Sequence, residues 1–187
     1  MTHSQKVVIS PIGEASAELI DVLADEIARV FGCETDIVPL LDSIHFAFDA
    51  VRCQYHSTLV LEKLSDVAPS HALKVLGIVR EDLFIPILTH VYGEAELGGK
   101  SCLVSTHRLK EGLSLRSDGL VYQERVIKEA VHELGHTFDL RHCPEKWCIM
   151  HYCHSIADVD RKGRDLCRYC RVLLTDELNR IRSEKDV

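Results

Sequence analysis

The stretch HELGHTFDLRHC, residues 132–143, decides how the rest of the chain is interpreted. His132 and His136 are four residues apart, so on a helix they lie about 40° apart on one face. Two neutral imidazoles in this position can bind one zinc ion. Glu133 follows the first imidazole and lies where a general base can take a proton from zinc-bound water. The order of ligand, base and ligand is therefore typical of a catalytic zinc site.

The third histidine of this stretch strengthens the metal hypothesis. The pattern HExxH also arises by chance, and its simpler interpretation is a solvated helix face with two ordinary histidines. On a continuous helix, His142 would lie about 15 Å beyond His132, too far to share a metal ion. A left-handed residue at Asp139 would end the helix and reverse the chain, and Asp tolerates that conformation better than most residues. The alternative for Asp139 is an ordinary C-cap or surface carboxylate.

The extended pattern resembles a known family. HELGHTFDLRH resembles the metzincin motif HExxHxxGxxH, with Asp139 in place of the usual glycine. The later residues narrow this resemblance to the archaemetzincins, over at least residues 132–170. They include HCPEKWCIM (142–150) and CRYC (167–170), and upstream the stretches RCQYHST (52–58) and GEAELGG (93–99) are also similar.

The resemblance implies a hydrolase, a zinc-dependent metallopeptidase. It implies that His132, His136 and His142 bind the catalytic zinc and that Glu133 is the general base on zinc-bound water. By the same resemblance, Met150 lies in a methionine turn and forms a hydrophobic floor under the site. Its simpler interpretation is a gap-filling core methionine.

Tyr152 follows Met150 in the sequence IMHY, which also occurs in the methionine turn of astacin-like metzincins. Its hydroxyl could therefore donate a hydrogen bond to the oxyanion of the reaction. A packed or surface tyrosine is the alternative.

The cysteines predict a second metal site. Cys143, Cys148, Cys167 and Cys170 form two close pairs, which suit one closed tetrahedral zinc site with four thiolates. Such a site is structural, because no position is left for water. Two disulfides or free thiols are the alternatives, but the N-terminus lacks a secretory signal. Cys153 is a possible substitute ligand, although the family spacing favours Cys148. We therefore expect two zinc ions per chain, one catalytic and one structural.

The rest of the chain alternates between predicted strands and helices. The predicted strands are 6–10, 35–40, 72–79 and 102–106, and the predicted helices are 14–31, 57–64 with Ser57 as a possible cap, 120–140 and 173–184. This interleaving indicates an α+β fold, a mixed α/β sheet packed by helices. By resemblance it is metzincin-like, with a catalytic helix and a small zinc-bound C-terminal lobe.

The crowding of cysteines after His142 suggests two lobes within one compact domain. Residues 1–142 would form an N-terminal lobe that contains the mixed sheet and the active-site helix. Residues 143–187 would form a C-terminal lobe that contains the methionine turn and the structural zinc.

Composition limits the partners and the location of the protein. The formal net charge is −7, which argues against non-specific binding to nucleic acid. No apolar run approaches the length of a membrane span, and the N-terminus lacks a secretory signal, so a cytoplasmic protein without membrane contacts is expected. The first predicted core strand begins at Lys6, which leaves no room for an inhibitory pro-segment. We therefore expect a narrow cleft or a weak intrinsic rate, which favours short peptides over folded proteins. The resemblance implies that the substrate lies extended beside an edge strand, for which the segment around Tyr92 to Ser105 is the candidate. The sequence does not indicate the oligomeric state.

Two other function classes compete with the peptidase interpretation. The stretch GEAELGGKS (93–101) resembles a phosphate-binding loop, but five residues separate Gly93 from Gly99 where that motif has four. This loop is better interpreted as the rim of the cleft. The second alternative is a two-zinc protein with little or no turnover that binds nucleic acid or a protein partner. Its support is a cluster of basic residues around the second cysteine pair, namely Arg161, Lys162, Arg164, Arg168 and Arg171.

Overall fold

A computed structural model of the chain describes residues 6–114 and 118–184. Within these residues the strands are β1 (Lys6–Pro11), β2 (Thr35–Ile37), β3 (Phe48–Asp49), β4 (Gln54–His56), β5 (Ala72–Val79), β6 (Leu83–Phe84), β7 (Gly93–Ala95) and β8 (Ser101–Ser105). The helices are α1 (Ala17–Phe31), α2 (Ser57–Asp66), α3 (Gly119–Thr137), α4 (Ile156–Arg161) and α5 (Arg168–Ser183). The predicted mixture of sheet and packed helices is confirmed.

The larger sheet has the strand order β2-β1-β5-β8-β7. Its first four strands are parallel, and β7 pairs antiparallel with β8 at one edge. Strands β5 and β8 are almost wholly buried, because helices cover both faces of the sheet. Within the predicted segment Tyr92–Ser105, the edge is therefore formed by Gly93–Ala95, whereas Ser101–Ser105 lies inside the sheet.

The two faces of this sheet contribute to two hydrophobic cores. Val7 and Ile9 of β1 point into one core, which they share with α1, α3 and the cysteine-rich segment. Val8 points into the other core, which contains α2 and residues of the smaller sheet β3-β4-β6. Alternate residues of a strand face opposite sides of a sheet, so one short apolar strand contributes side chains to both cores.

The first core includes residues from both sides of the predicted boundary after His142. Phe138 and Leu140 precede this boundary, and Met150 and Leu166 follow it. This shared core fits a single compact domain, and the division into two lobes stays a prediction.

Two helix starts differ from the sequence prediction by three residues or more. Helix α1 begins at Ala17, because the Ser16 side chain accepts a hydrogen bond from the backbone of Leu19 and caps the helix. Helix α5 begins at Arg168, five residues earlier than predicted, after the thiol of Cys167 accepts a bond from the backbone of Cys170.

The predicted cap at Ser57 is wrong. His56 is the N-cap of α2, and Ser57 is its first helical residue. The Ser57 hydroxyl instead donates to the backbone oxygen of Phe84 at 3.1 Å and contacts the carboxylate of Glu94. The Ser57 hydroxyl therefore makes a tertiary hydrogen bond and not the predicted local capping bond.

Within the described residues, no helix combines the length and the apolar character that a membrane span requires.

Candidate functional site

Three histidines converge at the C-terminal end of α3. The Nε2 atoms of His132 and His136 are 3.2 Å apart, and one ligand nitrogen from each of these residues and from His142 lies within 4.8 Å of the others. Zn–N bonds of about 2.0–2.1 Å at tetrahedral angles need nitrogens about 3.4 Å apart, so the three imidazoles fit a zinc ion with little adjustment.

The reversal that brings His142 to the other histidines occurs at Asp139. This residue has a φ of 59°, so the predicted left-handed conformation is confirmed. Helix α3 consequently ends at Thr137, earlier than the predicted residue 140. The Leu140 N–H then donates to the Gly135 carbonyl at 3.1 Å, which closes the turn in the manner of a helix C-cap.

Hydrogen bonds fix the orientation of two of the imidazoles. His132 Nδ1 is 2.9 Å from the Ile149 carbonyl, and His136 Nδ1 is 2.7 Å from the Leu140 carbonyl. A carbonyl oxygen can only accept, so in both rings Nδ1 carries the proton and Nε2 is left with its lone pair. Burial lowers the pKa of His132 well below its ordinary value and that of His136 to about 4. Both rings are therefore neutral, as metal ligands must be.

Glu133 lies between the histidines and the edge strand. Its side chain is buried, and a Cβ at Gly93 would lie 2.5 Å from the Glu133 Cγ. Only glycine at position 93 therefore leaves room for the carboxylate beside β7. Burial raises the pKa of Glu133 well above its ordinary value, and the neighbouring Glu129 carboxylate acts in the same direction.

Met150 and Tyr152 contact this site from the segment that follows His142. Met150 is fully buried, and a Cβ at Gly135 would lie 2.6 Å from its Sδ, so the methionine packs directly beneath the HELGH turn. The Tyr152 ring lies 4.8 Å from the His142 ring between centroids and lines the cleft. Both residues are thus adjacent to the histidines.

Lys74 supports the end of α3 and was not singled out from the sequence. Its ammonium donates to the backbone oxygens of Thr137 at 2.5 Å and Gly99 at 2.7 Å. A buried cation in this place satisfies the last carbonyls of the helix and favours its dipole. Burial lowers the pKa of Lys74. The available signal was a single lysine inside the otherwise apolar strand ALKVLGIV.

A cleft of about 700 Å³ runs over the histidines. One wall comes from the segment before β7 and from β7 itself, including Ile85, Leu88 and Ala95. The opposite wall comes from α3 and from the residues after His142. Leu97 of the GEAELGG loop also lines this cleft, as expected for a rim.

The cysteines form a second, closed group. Cys143, Cys148, Cys167 and Cys170 are all buried, and their sulfur atoms lie within 4.8 Å of one another. The Cys143 and Cys167 sulfurs are 3.7 Å apart, which matches the separation of about 3.8 Å expected around zinc and exceeds the roughly 2.05 Å of a disulfide. Cys153 lies outside this group and lines the cleft.

Three of the five residues of the predicted basic cluster pair with acidic side chains. Lys162 is buried, with 1% of its side chain exposed, and its ammonium lies 2.8 Å from Glu129. Arg161 pairs with Asp158, and Arg164 pairs with Glu26. The expectation that Lys162 belongs to a surface patch is therefore wrong. Its role lies inside the molecule, beside the cleft.

A helix with two neutral histidines, a third histidine after a left-handed turn and a buried glutamate against a sheet edge define a zinc metallopeptidase. The model of peptidase family M54 matches residues 36–176. The chain belongs to this family, the archaemetzincins, and the predicted resemblance is confirmed.

Relatives align over almost the whole chain. The archaemetzincin of Methanocaldococcus jannaschii is 38% identical over 178 residues, which cover 94% of this chain and 96% of the relative. The archaemetzincin of Archaeoglobus fulgidus is 36% identical over 165 residues, which cover 88% and 96%.

Two crystal structures of archaemetzincins are similar to this fold. The protein from Methanopyrus kandleri has a TM-score of 0.84 at 32% identity, with 95% of this chain and 97% of that chain covered. The protein from Archaeoglobus fulgidus, solved in complex with malonate, has a TM-score of 0.77 at 34% identity, with 90% and 99% covered.

Proposed function

We propose that the chain hydrolyses peptide bonds of short peptides, with His132, His136 and His142 binding the catalytic zinc and Glu133 as the general base. The observation that carries this proposal is the buried Glu133 carboxylate, held beside three converging imidazoles and against the edge strand β7. Zinc bound at these imidazoles would act as a Lewis acid toward the scissile carbonyl and the attacking water.

The open edge of β7 offers a binding surface for an extended peptide. The Tyr92 carbonyl accepts from Ser105, and the Glu96 N–H donates to Ser101, so these groups point toward β8. In an antiparallel pair the alternate residues point the other way, which turns the peptide groups of Gly93 and Ala95 toward the cleft. A substrate can therefore add as a further strand, with its scissile bond over the histidines.

Glu133 then carries the proton. Its carboxylate accepts a proton from the attacking water and passes it to the leaving amine. The Tyr152 hydroxyl, next to His142, is the candidate donor to the oxyanion that develops on the scissile carbonyl. Because a cleft of about 700 Å³ has the size of small-ligand sites, short peptides suit it better than folded proteins.

We further propose that the four cysteines bind a second, structural zinc, which makes two zinc ions per chain. This zinc would hold the segment containing Met150 beneath the HELGH turn, since the Cys143 N–H donates to the Met150 carbonyl at 2.9 Å. His142 and Cys143 are neighbours in sequence, so the two metal sites share one stretch of backbone.

The test compares Glu133→Gln with the wild type in zinc content and in hydrolysis of a quenched fluorogenic peptide library. Glu133→Gln is expected to retain zinc and to lose about 10²–10⁴-fold in kcat/KM, the usual contribution of a general base. Glu124→Gln on the same helix is the matched control, because this residue is outside the cleft lining, and its activity should stay near the wild-type level. Hydrolysis by Glu133→Gln at the wild-type rate would reject Glu133 as the general base, whereas no hydrolysis by the zinc-loaded wild type would favour a two-zinc binding module.

A further inference from the structure

One end of the cleft contains a carboxylate that the proposed reaction does not use. Glu129 lies one helical turn before Glu133 on α3, and its side chain lines the cleft together with Tyr92 and Cys153. Only 5% of the Glu129 side chain is exposed. A helical turn advances about 5.4 Å, so this carboxylate lies at the distance of a substrate side chain next to the scissile bond.

Lys162 lies behind this carboxylate. Its ammonium is 2.8 Å from Oε1 of Glu129, with 1% of the lysine side chain exposed. The described lining of the cleft includes Glu129 but not Lys162, so the carboxylate lies between the ammonium and the cleft. Since Oε1 is the oxygen next to Lys162, Oε2 is the oxygen left for the cleft.

The packing of the core alone does not explain why this ion pair is buried. Within residues 6–114 and 118–184, neither Glu129 Oε1 nor Lys162 Nζ has a hydrogen bond of regular geometry. A buried pair with so few partners loses much of its hydration, and two apolar residues of similar volume often stabilise a protein equally well. A charge retained at this cost on the wall of a cleft suggests a ligand that completes its hydrogen bonds.

We propose that Glu129 determines specificity by receiving a lysine or arginine side chain of the peptide next to the scissile bond. This inference rests on the proposed function. The cationic head of the substrate bonds to the Glu129 carboxylate, and its aliphatic stem packs along Tyr92. Lys162 is the positioning residue, because its ammonium contacts the Glu129 carboxylate on the side away from the cleft and offsets its repulsion of Glu133.

The test uses quenched fluorogenic peptides that differ only in lysine, norleucine or glutamate at each of the two positions flanking the scissile bond. Competition binding gives Kd for each peptide, and hydrolysis gives kcat/KM. At one of the two positions, the wild type should prefer lysine over norleucine about tenfold in both measurements, the size of a charged hydrogen bond. Glutamate at that position should bind most weakly.

Three variants test whether Glu129 causes the preference for lysine over norleucine. Glu129→Gln should reduce the ratio of lysine to norleucine to less than about twofold. Because it leaves Lys162 buried without a counterion, the double variant Glu129→Met with Lys162→Met supplies a charge-free pair that keeps the core filled. This double variant should also lose the preference. Glu124→Gln removes the same charge from the same helix outside the cleft lining and should keep the wild-type ratio.

The outcomes separate this inference from the proposed function. Hydrolysis without a lysine preference, or a preference that survives in both Glu129 variants, would overturn the role of Glu129 and leave the peptidase intact. A lysine preference in binding with no hydrolysis would contradict the catalytic proposal but support the subsite. Failure of all the peptides to bind would overturn the subsite.

Discussion

The two candidate metal sites are built from neighbouring residues but differ in their access to solvent. All four cysteines are buried, whereas the histidines range from buried His132 through half-buried His136 to exposed His142. The four cysteine sulfurs lie within 4.8 Å of one another. The histidine group opens into a cleft whose other wall is the edge strand β7. Access to solvent, together with the kind and number of ligands, therefore distinguishes the proposed structural site from the proposed catalytic one.

Loss of a cysteine ligand should have the largest effect on stability. Cys148 is fully buried, and its sulfur accepts from the backbone of Cys167. Because binding of a structural zinc contributes directly to folding, Cys148→Ser should lower the free energy of unfolding by several kcal/mol and release one zinc. Urea titration and elemental analysis measure both. Cys53→Ser, at an exposed thiol outside the group, is the control. An unchanged free energy of unfolding in Cys148→Ser would contradict a structural site.

A methyl group at Gly93 should impair the histidine site more than the cysteine site. The added Cβ would meet both the Glu133 side chain and the Leu103 backbone oxygen, 2.5 and 2.6 Å away. Displacement of a catalytic group by about 1 Å can reduce the rate about 10²-fold, and overpacking costs about 1–3 kcal/mol. We expect Gly93→Ala to lose about 10²-fold in activity and about 1–3 kcal/mol in stability while it retains zinc.

Steady-state kinetics and zinc analysis check the effect of Gly93→Ala. Gly119→Ala is the matched control, since a Cβ there would meet no atom within 4 Å. Wild-type kinetics in Gly93→Ala would contradict a role of the edge strand β7 in the active site.

Lys74→Met tests how the end of α3 is supported. The change leaves the carbonyls of Thr137 and Gly99 without their donor, which should lower the free energy of unfolding by about 1–3 kcal/mol. Activity should fall moderately, since Thr137 directly follows His136. Thermal unfolding and kcat measure the two effects. Full stability in this variant would show that water replaces the lysine at little cost.

The smallest effect is expected at Asp139. Glycine adopts a φ of 59° without steric cost, but it gains more conformational freedom in the unfolded chain. These opposing effects should keep Asp139→Gly within about 1 kcal/mol of the wild type, whereas Asp139→Ala should be destabilised because alanine disfavours this region. Equal stability of the alanine variant would mean that the turn is set by its surroundings alone.

Much of the site was accessible from the sequence because its signals are local. The spacing of His132, His136 and His142, together with one tolerant residue at Asp139, is enough to predict a helix, a reversal and a convergence. Strand β5 was equally visible as an apolar run. These features depend on residues that lie close together in the chain.

The remaining features depend on contacts between distant residues. Gly93 is important only because the sheet places it against Glu133, forty residues away in the chain. Lys162 looked like part of a surface patch because its partner, Glu129, lies on α3, whereas Lys162 follows α4. Strands β3, β4 and β6 have two or three residues each, which is too short to show periodicity.

The most direct test of two unlike metal sites is the zinc content per chain in the wild type, His136→Ala and Cys148→Ser, each purified without chelator. We predict two zinc ions in the wild type and one in each variant. The remaining zinc in His136→Ala should resist EDTA, whereas the histidine-bound zinc of the wild type should be removed first, along with activity. One zinc ion in both the wild type and His136→Ala would contradict the catalytic metal site, and two in Cys148→Ser would contradict the structural one.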